Sequence, residues 1–119
     1  MEKSKSFTEL IVWQKAHALT LEVYKITKSW PKEEQYGLTS QIRRAAVSIA
    51  ANIAEGYKRR TEAEKARFLN ISEASLDEVR YYFILSKDLA FIDSNETLME
   101  LADEVAKLLY SYKKAILKK

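Results

Sequence analysis

The sequence predicts an all-α fold, an antiparallel up-down-up-down four-helix bundle, and three observations carry that expectation. Two glycines and one proline in 119 residues are too few for a sandwich or barrel, which needs a turn signal about every ten residues. Hydrophobic residues at 47% and charged residues at 31% suit a chain that closes a core and remains wet outside. Along four successive segments, apolar residues recur in steps of three and four, the period of a helix with one buried side. A mass of 13.8 kDa fits a single domain over residues 1–119.

The first helix is predicted over about residues 8–29, with Val12, Ala16, Leu19, Val23 and Ile26 on one side and Trp30 closing the stripe. Pro31 ends it, because proline disfavours the α conformation in the residue before it and has no N–H to donate. After Gly37, Leu38, Ile42, Ala45, Ile49 and Ile53 mark a second helix over 38–59. Thr61 followed by Glu64 reads as a capping box and opens a third helix over 62–90. Its inward stripe is Phe68, Ser72, Ser75, Val79, Tyr82, Ser86 and Leu89, widened by Leu76 and Phe83. Ser94 or Asn95 caps the fourth helix, over 95–117, whose stripe is Leu98, Leu101, Val105, Leu108, Tyr112 and Ile116. Short links make sequential neighbours antiparallel.

The composition excludes several functions. There is no cysteine, hence no disulfide, thiolate metal site or cysteine nucleophile, which suits a reducing compartment. The apolar stretch after the N-terminus is broken by Glu9 and Lys15, too soon for a signal-peptide core. The longest charge-free run, Ala45 to Ala54, is about half of what spans a membrane, and no membrane partner is expected. His17 is the sole histidine and is preceded by Gln14-Lys15-Ala16, so the paired Glu-x-x-His of a bundle di-metal centre is absent. No phosphate loop, nucleophile elbow or zincin motif occurs. No metal, cofactor, catalytic residue or enzymatic activity is predicted.

The second helix is the most informative. Val47, Ala50, Ala51 and Ala54 lie away from its main stripe, and a helix with two apolar faces is buried on both. That second face predicts a partner subunit; the plainer alternative is that alanine simply favours helix. Between the faces runs a polar line of Gln41, Arg44, Ser48, Asn52 and Glu55. Flanked by apolar surface, these groups demand partners, and the line reads as a network fixing helix or subunit register, with Arg44 seeking a carboxylate on another helix; a ligand site is the alternative.

Four stretches carry a resemblance. They are Leu10-Ile11-Val12-Trp13-Gln14-Lys15-Ala16, then Tyr36-Gly37-Leu38-Thr39-Ser40-Gln41-Ile42-Arg43-Arg44-Ala45-Ala46-Val47-Ser48-Ile49, then Asn52-Ile53-Ala54-Glu55-Gly56, and Phe68-Leu69-Asn70-Ile71-Ser72. Together they resemble the bacterial four-helix-bundle family of 23S rRNA intervening-sequence proteins over nearly the whole chain. Where that family usually has Gly-Ser-Leu in its third helix, this chain has Ala74-Ser75-Leu76. The resemblance implies a cytoplasmic bacterial protein without established catalysis and a ring-shaped homopentamer. A related branch, the accessory proteins of diversity-generating retroelements, associates with a reverse transcriptase and binds nucleic acid.

The net charge is only +3, but its distribution is uneven. An up-down-up-down order brings the N-terminus, the link between helices two and three, and the C-terminus to one end. Residues 55–70 hold five cations (Lys58, Arg59, Arg60, Lys65, Arg67) against three acids. From Lys107 onward come Lys113, Lys114, Lys118 and Lys119 with no acid. The molecule is therefore read as a charge dipole along its long axis. In a ring of like-oriented subunits the basic ends share one rim, a site for RNA phosphates through Lys58, Arg59, Arg60, Lys113, Lys114, Lys118 and Lys119. Tyr57, Tyr110 and Tyr112 are candidates to stack on bases there. Two other readings stay open: lysines near a helix C-terminus complement its dipole, and the ring is an adaptor for a protein partner such as a reverse transcriptase.

Overall fold

The computed structural model describes residues 6–117; Lys118 and Lys119 lie outside them. Among the described residues there are four α-helices and no strand: α1 (Ile11–Thr27), α2 (Leu38–Lys58), α3 (Glu62–Asp88) and α4 (Glu96–Ile116). Two short 3-10 turns, Phe7–Glu9 and Lys32–Glu34, precede α1 and α2. They form an elongated body, 48 × 25 × 22 Å. Each helix packs on two others, α1 on α2 and α4, α3 on α2 and α4.

Cross-helix contacts give the relative directions residue by residue. Thr20 Oγ1 donates to the Ala46 carbonyl at 3.1 Å, and Arg43 Nε to Thr27 Oγ1 at 2.8 Å. Ser75 Oγ lies 2.8 Å from Ser48 Oγ, Ser72 Oγ donates to the Ile49 carbonyl at 2.8 Å, and Lys65 Nζ reaches the Gly56 and Tyr57 carbonyls. Arg80 meets Asp103, and Lys113 meets Glu73 and Asn70. Along these three pairs the numbers rise on one helix as they fall on the other, an order compatible with an up-down-up-down bundle.

Small residues set the spacing. Ala45, Ala46 and Ala50 of α2 are buried, as are Ser72 and Ser75 of α3. At Gly56, an added Cβ would stand 3.4 Å from both the Lys65 carbonyl oxygen and the Phe68 Cβ, so α2 and α3 nearly touch there. Between the helices lie Leu19, Val23, Ile42, Ile49, Ile53, Leu69, Val79, Phe83, Val105 and Leu109, essentially excluded from water. Each buried aliphatic or aromatic side chain of this kind contributes about 1.5–3 kcal/mol relative to exposure.

Several boundaries differ from the sequence expectation. Residues 8–10 are not α-helical, because the Ser6 hydroxyl caps the 3-10 turn and Leu10 is extended (φ −74°, ψ 128°). The first helix stops at Thr27, whose hydroxyl bonds back to the Val23 carbonyl. The third stops at Asp88: Ala90 takes φ 64° while its amide bonds the Lys87 carbonyl and the Phe91 amide the Ser86 carbonyl, a Schellman closure. Leu89 is consequently exposed rather than inward. Thr61 caps α3 by accepting from the Glu64 amide, and Ser94 accepts from the Glu96 amide. The stripe of α4 is displaced: Leu98, Ala102, Val105 and Leu109 are buried, while Leu101 and Leu108 are half-buried.

Candidate functional site

The two functional patches expected from sequence form separate regions. At the end of the molecule where α2 stops and α3 starts, Lys65 Nζ is hydrogen-bonded to the Gly56 and Tyr57 carbonyls. It thus satisfies the free acceptors of the α2 C-terminus, which is the dipole-complementing role of a cation. Arg59 is also engaged, by Glu55 at 2.6 Å and by the face of Phe68 at 4.7 Å. Lys113 is held by Glu73 at 3.1 Å and by Asn70. Lys58, Arg60 and Lys114 are exposed and make no hydrogen bond or ion pair within the described residues. The Lys114 ammonium stands 6.0 Å over the ring of exposed Tyr110. Of the seven cations assigned to this end, five are described, and three of those five are free.

The tyrosines divide in the same way. Tyr110 is exposed. Tyr112 is half-buried, and burial, then proximity to Tyr57, raises its pKa above the ordinary 10.0, so its phenol is packed as part of the bundle and is not a free stacking platform. Tyr57 is half-buried too.

The polar line on α2 also splits. Ser48 and Asn52 are joined to one another and, through Ser48 Oγ, to Ser75 of α3. They fix the register of α2 against α3. Glu55 serves Arg59. Gln41 and Arg44 are exposed and have no partner within the described residues. Ala50, expected on a subunit face, is instead buried inside the chain, because it points toward the core beside Ile49 and Ile53; Ala51 and Val47 are exposed on the outer side. Ala74 is exposed as well, which accounts for a Cβ being tolerated at that position of α3.

Arg44 stands in an open groove of about 830 Å³ over the first half of α2, bordered by Tyr24 of α1 and by Ser75 and Glu78 of α3. Arg43 lies on the Tyr24 ring at 4.6 Å, and Tyr36, at the lip, is 89% exposed. Sequence reasoning missed Tyr24, Tyr36 and Arg43. An aromatic in a link (Tyr36) next to glycine and an arginine beside Arg44 were the available signals. His17, one turn after Trp13, stacks on it at 4.9 Å. No group of three or more His, Cys, Asp or Glu among the described residues could hold a metal ion, and no helix is long and apolar enough to cross a membrane.

Fold and surface define an all-α protein of the four-helix-bundle class, with a polar network between α2 and α3. Residues 8–111 match the 23S rRNA-intervening sequence protein, and the chain belongs to that family. It is also similar to a crystal structure of a protein of unknown function from the S23 ribosomal protein family of Bacteroides thetaiotaomicron VPI-5482, with a TM-score of 0.79 and 26% identity over 87% of this chain and 96% of that one. No curated protein matches it.

Proposed function

We propose that the chain is a non-enzymatic subunit of a homo-oligomeric ring, built from an up-down-up-down bundle, that holds RNA by its phosphate backbone at the basic end. Five copies are what the family resemblance implies. The observation that carries the reading is the set of exposed cations without internal partners, Lys58, Arg60 and Lys114, on elements joined at one end by the contacts of Lys65 and Lys113. Cations already engaged by carboxylates or carbonyls have little to offer a phosphate; these three remain available. Exposed Tyr110 beside Lys114 adds a flat apolar surface for a base.

The test is replacement of Lys58, Arg60 and Lys114 by glutamine, with binding to a structured RNA measured across a salt series. Affinity falls and its salt dependence flattens, with little regard to RNA sequence, because phosphate contacts position without specifying. Neutralising Lys25, Lys28 and Lys32, exposed around the link between α1 and α2, is the control and leaves binding nearly unchanged. Equal effects of both sets, or of neither, defeat the basic-end mechanism and favour a ring that docks a protein partner.

A further inference from the structure

A second groove, about 460 Å³, lies between α1 and α4 and carries the opposite charge. Its floor is Ala18, Leu98 and Leu101, and its walls carry Glu22, Glu100 and Glu104. Glu104 is shared with Lys15 at 3.4 Å. Glu22 and Glu100 have no partner within the described residues. The groove over α2 presents the converse, an unpaired Arg44 with Arg43 behind it, and the exposed side chain of Val47 as its apolar part. With two arginines against the single carboxylate of Glu78, the α2 groove is net basic, whereas the α1/α4 groove is lined by three carboxylates.

Their heights also agree. Along α1 and α2, the hydrogen bond from Thr20 to Ala46 and the one between Arg43 and Thr27 are two cross-links. Glu22 lies between Thr20 and Thr27 on α1, and Arg44 between Arg43 and Ala46 on α2, so the same two cross-links bracket both residues. Two copies standing upright side by side can therefore bring Arg44 of one level with Glu22 of the next without sliding along the long axis. Zero translation is the condition under which a head-to-tail contact closes into a ring instead of winding into a filament. The grooves occupy different arcs of the circumference, one centred on α2 and the other between α1 and α4, as a head-to-tail contact requires.

We propose that the basic groove over α2 receives the acidic α1/α4 groove of a second copy of this chain, Arg44 pairing with Glu22 and Glu100 of its neighbour. The inference rests on the oligomeric reading above and names its two faces. Arg44→Glu tests one face and the double change Glu22→Arg, Glu100→Arg tests the other, with mass measured by native mass spectrometry at micromolar concentration. Each variant alone assembles at least about tenfold less well than the parent, since like charges now meet. Combining all three changes in one chain restores assembly, which also shows that the variants fold. Mixing the two defective proteins restores association between unlike chains, because native faces meet in one orientation and charge-reversed faces in the other.

Assembly of Arg44→Glu indistinguishable from the parent, or failure of the triple variant to recover, overturns the pairing. A parent protein that is itself monomeric overturns the oligomeric reading, which is a different result. If Arg44→Glu abolishes RNA binding while the assembly stays intact, the groove is a nucleic-acid site and the pairing is wrong.

Discussion

Ala90 occupies the left-handed position of the α3 C-terminus, φ 64°, where glycine would be unstrained. The hydrogen bonds of Ala90 to Lys87 and Phe91 to Ser86 keep the conformation despite the Cβ. An L-residue there costs about 1–2 kcal/mol, partly offset because glycine loses more entropy on folding. Ala90→Gly should therefore stabilise the protein by about 0.5–1 kcal/mol, seen as a higher urea midpoint at unchanged slope. An unchanged or lower midpoint would show that the strain is relieved elsewhere. This closure was not legible in the sequence, because the usual cue is glycine and none stands there. The cap at Thr61 was legible, because a hydroxyl three residues before a carboxylate is a local pattern; the bonds of Ser72 to Ile49 and Ser75 to Ser48 were not, because periodicity places a serine on a face without naming what it meets.

At the scale of the helix, α1 and α4 show what periodicity does and does not determine. Val12, Ala16, Leu19 and Val23 are buried as their spacing requires. In α4 leucine occupies both Leu101 and Leu108 and the neighbouring Leu109, so two adjacent stripes satisfy the same steps. Reading by side-chain size favours Leu101 and Leu108, whereas the structure buries Ala102 and Leu109 completely. A small residue at the deepest position lets α4 approach its neighbours, and packing rather than hydropathy selects the stripe. The same blindness to alanine hid Ala46 and misplaced Ala50. Leu109→Ala should cost about 2–5 kcal/mol in denaturant unfolding, and Leu108→Ala distinctly less, about 1–2 kcal/mol, because its side chain is already partly solvated. The reverse order would return the buried stripe to Leu101 and Leu108.

For the molecule as a whole, the uneven charge was visible once the helices were folded back in order, because that step needs only helix number and short links. Which cations stay free was not visible: Arg59, Lys65 and Lys113 are consumed by Glu55, by the carbonyls of α2 and by Glu73, partners that sequence spacing does not identify beyond the i,i+4 case. Of the cations assigned to this end, one subunit therefore presents Lys58, Arg60 and Lys114, with exposed Arg67 beside them over the Phe68 ring, enough alone for a salt slope of about 3 in log K against log salt. If several such ends share a rim, a single RNA spans more than one subunit and the slope must be steeper, since it counts the phosphates neutralised. Ala51 is exposed on the outer side of α2, so Ala51→Glu adds a charge where a neighbour would pack without disturbing the core, and it should weaken assembly. The dissociated variant should then bind the same RNA more weakly and with a slope near the single-subunit value, measured by fluorescence anisotropy over a salt series with the mass checked at each concentration. Equal slopes for assembled and dissociated protein would mean that RNA contacts one subunit at a time and that the shared rim contributes nothing to binding.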